Sequence, residues 1–258
     1  MADPTIVLIS GVTRGIGKAL LQSYLSRPNH IVIGTVREKS SHHAIELTLL
    51  LKASNTILIL LSVESTSTTE PTSAIPELLA VGISMLDVVI ANAGGTGSSA
   101  APFESVNTGD MEDVFVMNVL GPLALFQAVK PLLERSERLS WVTITSAAGS
   151  IGGMERFVGS HMVPAYGVSK VALNWLTMAA HCGNHWLIAF AVHPGLIQTE
   201  PGNHAAKIMG MEQAPVTKEE CADSIVRLID NASRETSPGK FFNAIPENTL
   251  VGGVELPW

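Results

Sequence analysis

Apolar residues recur along this chain in two alternating periods, and the alternation predicts the fold. Residues 5–10 (TIVLIS) form a short run rich in β-branched side chains, bounded by Pro4 and Gly11, as a buried strand requires. From Ile16 the spacing becomes helical, through Leu20, Leu21, Tyr24 and Leu25, and it stops before Pro28. Further strands are predicted at 31–36 (IVIGTV), 56–61 (TILILL), 86–91 (LDVVIA), 140–145 (SWVTIT), 186–192 (WLIAFAV) and 240–243. Helical spacing covers 44–53, 75–82, 110–133, 165–180 and 219–232, with Gly121-Pro122 marking a kink in the longest stretch. Strand and helix alternate without a linker, repeat or shift of composition. The expectation is a single α/β domain over residues 1–258, a doubly wound parallel sheet of about seven strands with helices on both faces.

Composition narrows the function classes. A chain of 258 residues with 46% hydrophobic and 15% charged side chains is large and apolar enough for a sizeable core, which excludes disorder. The net charge of −7 gives no reason to expect nucleic acid or an anionic membrane as partner. Cys182 and Cys221 have neither metal-ligand spacing nor a disulfide framework, so no metal site is expected and a reducing compartment suits them. The first residues lack the pattern of a signal peptide, and no uninterrupted apolar run of about 20 residues is read as a membrane span. A cytoplasmic protein with a small-molecule substrate is the expectation.

Three stretches carry chemistry. Gly11 to Gly17 (GVTRGIG) lies between a predicted strand and a predicted helix, where glycines let the backbone approach a phosphate and the helix start favours its charge; the plain alternative is a tight turn. The second strand ends in Gly34, Thr35 and Val36 without an acidic residue, and Arg37 follows. Arg37 and Arg14 fit a 2′-phosphate, which argues for NADP(H), against the alternative of two solvated arginines. Tyr166 and Lys170, four residues apart, share one helix face. A free phenol ionises only near pH ~10, and an ammonium beside it favours the phenolate, so the pair is a candidate proton-transfer unit. Alone it also fits a surface tyrosine beside a solvated lysine.

With Ser10-Gly11, Gly15-Ile16-Gly17, Asn92-Ala93-Gly94, Asn118, Ser146, Tyr166, Lys170 and Pro194-Gly195 in this order, the chain resembles the short-chain dehydrogenase/reductase family over nearly its entire length. The segments 87–94 (DVVIANAG), 146–154 (SAAGSIGGM), His193-Pro194-Gly195 and Glu255-Leu256-Pro257-Trp258 look like those of fungal ketoreductases of the norsolorinic acid type. The resemblance implies a Rossmann-type fold, an NADP(H)-dependent reduction of a hydrophobic, aromatic polyketide-like ketone, and a homodimer or homotetramer. It implies catalytic roles for Asn118 (anchoring a water that relays protons), Ser146 (binding the substrate carbonyl), Tyr166 (general acid) and Lys170. It further implies cofactor contacts at Gly11, Thr13, Arg14, Ile16, Asn92, Tyr166, Lys170, Ile197 and Thr199. Two other readings stay open: a non-redox isomerase or cyclase on the same scaffold, and a catalytically silent NADP-binding protein.

Departures from the family pattern matter as well. Where an aspartate often meets adenine, Ser62 stands, and only its hydroxyl can hydrogen-bond there. Ser146 and Tyr166 are 20 residues apart, which leaves an extended substrate loop near 150–164; Met154, Phe157 and His161 are expected to join Ser146 in lining the pocket. Residues 200–212 are the expected lid, with Pro201-Gly202 as hinge and Ile208, Met209 and Met211 as its apolar cover.

Overall fold

The computed structural model describes residues 3–97, 101–157, 162–246 and 252–258. Its strands are β1 (Thr5–Ile9), β2 (His30–Val36), β3 (Ile57–Ser62), β4 (Val88–Ala91), β5 (Ser140–Ile144), β6 (Ile188–His193) and β7 (Phe241–Asn243). They form one seven-stranded parallel sheet in the order β3-β2-β1-β4-β5-β6-β7, with Ile6 opposite Ile31 and Val7 opposite Val88. The chain winds outward from β1 to β3, then returns and winds the other way from β4 to β7. The order reverses between β1 and β4, and sheets of this kind open a crevice at that point, beyond the carboxyl ends of the strands.

Successive side chains of β1 point to opposite faces, and both faces are covered. Val7 and Ile9 enter a core with α1 (Gly15–Leu25), α2 (His42–Thr48) and α8 (Lys218–Asp230). Ile6 and Leu8 enter a second core with α3 (Glu70–Ala80), α5 (Gly121–Leu133) and the end of α6 (Pro164–Gly183). The start of α8 is fixed by a reciprocal cap. Thr217 Oγ1 accepts from the Glu220 N–H at 3.2 Å, and the Glu220 carboxylate accepts from the Thr217 N–H at 3.0 Å. Arg27 then clamps Asp230 through two bonds of 2.8 and 3.0 Å, tying the ends of α1 and α8 together.

Element boundaries depart furthest from the periodicity at two places. α2 stops at Thr48 instead of 53: Leu49 and Leu51 stand exposed, and the Lys52 ammonium donates to the Thr48 and Leu50 carbonyls, closing the helix. α3 begins at Glu70, inside what reads as a polar connection. Pro71 sits in its first turn, where a missing N–H costs nothing, and Ser67 Oγ accepts from the Glu70 N–H at 3.1 Å.

The long helical stretch is divided into α4 (Thr108–Phe115), a π-turn (Val116–Leu120) and α5. The interruption of the α-helical pattern therefore falls immediately before Gly121-Pro122. A Cβ on Gly121 would lie 2.1 Å from the Ser65 carbonyl oxygen, so the close approach there requires glycine. Counted together, Thr108–Leu133 is long and apolar enough to cross a membrane by length and composition, contrary to the reading of apolar runs. In this fold Leu125, Val129, Leu132 and Leu133 are buried against the sheet, so the stretch works as a core helix.

A third, smaller core forms beside β7 from Ala147, Phe157, Ala191, Phe241 and Leu256, with Trp258 packed on it. Residues 254–256 run antiparallel along β7: Glu255 pairs with Phe242, and the Leu256 N–H donates to the Phe241 carbonyl at 2.7 Å.

Candidate active site

The glycine turn after β1 is held open by its neighbours. Gly11 and Gly15 adopt φ of +71° and +59°, the left-handed region where glycine costs least. Ser10 Oγ accepts from the N–H groups of Asn92 and Ala93, each at 3.0 Å, so the ends of β1 and β4 are tied directly. Asn92 turns its amide into the same turn and donates to the carbonyls of Ser10 (2.9 Å) and Gly11 (3.2 Å). Its side chain thus shapes the turn. At the start of α1, Arg14 makes no side-chain cap and the first turn carries no acid. Unpaired N–H groups with the positive end of the helix dipole form a site for a phosphate, and these residues fit a dinucleotide.

Asn118 lies in the π-turn and is fully buried. Its Oδ1 accepts from the Gly95 N–H at 2.9 Å, and its Nδ2 donates to the Gly95 carbonyl (2.8 Å) and to Ser169 Oγ (2.9 Å). Ser169 Oγ in turn donates to the Tyr166 carbonyl at 2.7 Å. This network locks the loop after β4 to the helix that carries Tyr166. Pro122 lacks the N–H that an unbroken α-helix would direct at the Asn118 carbonyl.

Ser146 follows β5, and Tyr166 and Lys170 occupy successive turns of α6. Ser146 is the hydrogen-bonding neighbour that favours ionisation of the Tyr166 phenol. Burial pushes that phenol above its ordinary range, and the Ser146 bond offsets this only in part. The expectation that Lys170 brings the phenol down is therefore corrected: desolvation outweighs the ammonium 5.5 Å from the ring centroid. A phenol that keeps its proton at neutral pH suits an acid. Lys170 Nζ donates to the Ile144 carbonyl at 3.0 Å, and burial pulls its pKa down to about 8. Gly149 admits α6 this closely, because a Cβ there would lie 2.6 Å from the Lys170 carbonyl carbon.

His193 ends β6, and its Nδ1 accepts from the Ala147 N–H at 3.2 Å, bracing the turn that begins at Ser146. Burial lowers its pKa to about 4, so it is neutral here and serves structure. The sign for stability follows: the unfolded chain binds this proton below about pH 6.5, whereas the folded chain resists it until about pH 4. Stability from His193 is complete above pH 6.5 and is lost as the pH falls towards 4. Urea unfolding at pH 7.5 and pH 5 should show a loss of about 2 kcal/mol that His193→Gln removes. An unchanged pH dependence in the variant contradicts the assignment.

Both arginines read as candidates for a 2′-phosphate are paired. Arg37 Nε lies 2.5 Å from Glu64 Oε2, and Arg14 Nη1 lies 3.5 Å from Glu200 Oε2 at the start of α7 (Glu200–Ile208). Burial raises the Glu64 carboxyl, but the Thr66 N–H and the Arg37 charge outweigh it and hold it below its ordinary range. Ser62 donates its hydroxyl to the Arg37 carbonyl at 2.8 Å, which fixes the backbone of that arginine. Thr199 caps α7 through the Gly202 N–H at 3.1 Å, and its methyl faces Gly15. Ile16 and Ile197 both turn side chains into the first core; Thr13, in the glycine turn, is partly buried.

Among the expected pocket residues, Met154 is exposed on the loop after Ser146. Phe157 departs from the expectation: only 7% exposed, it joins the third core with Ala147, Phe241 and Leu256 and anchors the loop. His161 lies outside the described residues. The lid is helical over α7, with Ile208 and Met209 exposed and Ala206 buried. Sequence reading missed Glu64 and Ser169. A serine one residue before Lys170 carries no periodic signal; only the fold brings it to Asn118.

Comparison with known proteins agrees with this geometry. Residues 5–207 match the family model described as short chain dehydrogenase. A short-chain dehydrogenase of Neurospora crassa is 44% identical over 265 residues, covering 100% of this chain and 99% of the relative. A norsolorinic acid ketoreductase of Dothistroma septosporum is 35% identical, covering 98% and 92%. Among solved structures, NADPH-bound carbonyl reductase from chicken fatty liver superposes with a TM-score of 0.80 at 27% identity, covering 100% of both chains.

Proposed function

The chain belongs to the short-chain dehydrogenase family, and from that premise we propose that it is an NADPH-dependent ketoreductase acting on a hydrophobic, aromatic polyketide-like ketone. The observation that carries the reading is the juxtaposition of the Tyr166 phenol with Ser146, and of Lys170 one turn away with its ammonium on the Ile144 carbonyl at the end of β5. A bound NADPH supplies the hydride. Gly11, Thr13, Ile16 and the free amides of α1 would hold its phosphates, Arg14 and Arg37 its 2′-phosphate, and Asn92, Ile197 and Thr199 would line the remainder.

The residues of the chain then divide the work. Ser146 Oγ holds the substrate carbonyl oxygen and polarises it. Tyr166 Oη gives its proton to that oxygen as negative charge develops there. The Lys170 ammonium stabilises the phenolate left behind and orients the nicotinamide ribose. A water anchored at the Asn118 carbonyl would relay the replacement proton towards Lys170, and Pro122 favours this by withholding a helical donor from that carbonyl. The identity to the Dothistroma ketoreductase and the exposed Met154, Ile208 and Met209 favour a bulky apolar substrate over a small polar one. Self-association through α5 and α6 belongs to the same reading, supported by an apolar groove of about 190 Å³ between Phe126, Trp141, Leu173 and Leu176.

Mixing the protein with NADPH and a panel of aryl ketones tests the activity: loss of the nicotinamide absorbance with alcohol formation is expected. Product without cofactor consumption, or binding without turnover, overturns it. Cofactor choice is tested separately. Arg37→Ala should weaken NADPH more than NADH by about 1–3 kcal/mol, measured by fluorescence titration. The lower end is expected, because a 2′-phosphate must first displace Glu64. Equal losses for both cofactors would contradict a 2′-phosphate at Arg37.

A further inference from the structure

The last described segment of the chain is spent on the loop that follows Ser146. Ser150 is fully buried; its hydroxyl donates to the Pro257 carbonyl at 2.5 Å and accepts from the Gly153 N–H at 3.0 Å. The Gly152 N–H donates to the Trp258 carbonyl at 2.8 Å, and a Cβ on Gly152 would lie 3.1 Å from Pro257 Cβ. Two loop residues, Ser150 and Gly152, are therefore bonded to two adjoining residues of the closing segment, Pro257 and Trp258.

That segment is itself firmly placed. The Trp258 ring stacks on Phe241 with centroids 5.5 Å apart and 27° between planes, and Phe241 is fully buried in β7. Leu256, 4% exposed, packs with Phe241, Phe157 and Ala147, the residue next to Ser146. Lys240 and Glu255 pair at 3.1 Å on the outside. A continuous path of contacts thus runs from β7 through Leu256, Pro257 and Trp258 to both ends of the loop, Ala147 and Phe157. Met154 sits at the loop's exposed crest.

We propose that Leu256-Pro257-Trp258 is a positioning element of the active site: it sets the conformation of residues 150–157, and through them the seating of the ketone against Ser146. Among the described residues, the hydrogen bonds and ring contact of the segment go to Ser150, Gly152 and Phe241, none of which is assigned to the cofactor. Its influence is expected on substrate and not on nucleotide, and small misplacements near a reacting group cost rate steeply.

Trp258→Ala and the milder Trp258→Phe test this. In Trp258→Ala, amide hydrogen exchange within 150–157 should accelerate about tenfold or more, while exchange in β1 and α1 stays unchanged. NADPH affinity should stay within about twofold, and kcat/KM for an aryl ketone should fall about tenfold, mostly in KM. Trp258→Phe, which keeps a ring on Phe241, should restore exchange and kinetics. Unaltered exchange in the loop overturns the proposal, as does an equal loss of NADPH affinity, which would mark a general structural role. The kinetic arm presupposes the ketoreductase activity proposed above; the exchange and binding arms do not. An inactive wild type with a loosened loop in Trp258→Ala would therefore sink the activity and sustain the positioning role.

Discussion

Tyr166→Phe is expected to lower kcat for ketone reduction by about 10²–10⁴-fold, the range attributable to a positioned general acid. The substitution removes one oxygen and keeps the ring, so the face that Lys170 approaches at 5.5 Å is preserved. Ser146 loses a hydrogen-bond partner but sits where a substrate oxygen or water replaces it. NADPH affinity should change by no more than about twofold, because no phosphate contact is touched. Steady-state kinetics with a parallel fluorescence titration separates the two effects. Turnover within tenfold of the parent would remove Tyr166 from the role of acid and, with it, the chemical basis of the proposed reaction.

The second large effect is expected from Gly17→Ala. A Cβ at this position would lie 2.2 Å from the Gly11 carbonyl oxygen and 2.5 Å from Asn92 Nδ2. Neither atom belongs to the free end of a flexible chain: one is backbone, and the other is bonded to Ser10 and Gly11. The methyl group must push α1 off the turn, break the Asn92 bonds and spoil the amide cradle together. A stability loss of about 1–3 kcal/mol is expected from the overpacking, with NADPH affinity reduced about 100-fold. Gly183→Ala is the matched control, since nothing lies within 4 Å of the Cβ it would add. It should stay within about 0.5 kcal/mol of the parent in urea unfolding. Similar losses in both variants would show that close packing at Gly17 is not what its glycine serves.

Much of this molecule is written in local patterns. Most strands read cleanly because all seven are parallel and the inner ones, β1, β4, β5 and β6, are buried on both faces, so they appear as largely apolar runs between turn residues. Helix ends were harder where a side chain, not periodicity, decides them, as Lys52 does for α2 and Pro71 for α3. The candidate set was legible because Tyr166 and Lys170 are one helical turn apart and Ser146 follows a strand. What stayed hidden depends on residues far apart in sequence. Glu64 meets Arg37 only once β2 and β3 are adjacent, and Ser169 meets Asn118 only once α6 crosses the π-turn. The direction of the Tyr166 shift was hidden for the same reason: a spacing reveals a neighbouring charge, whereas desolvation is a property of the assembled site.

The two rims of the sheet are unequally guarded. Along β7 the antiparallel residues 254–256 occupy the outward hydrogen-bonding groups, while β3 ends the sheet with no further strand beside it among the described residues. The β3 segment, with its preceding threonine, reads TILILL, without charge or proline, and Ile57 stands half exposed. An open, apolar, β-branched rim of this kind templates strands from other molecules. When the protein is crowded or warmed, self-seeded fibres should start from the β3 side, and a lysine at Ile57 would be the natural gatekeeper.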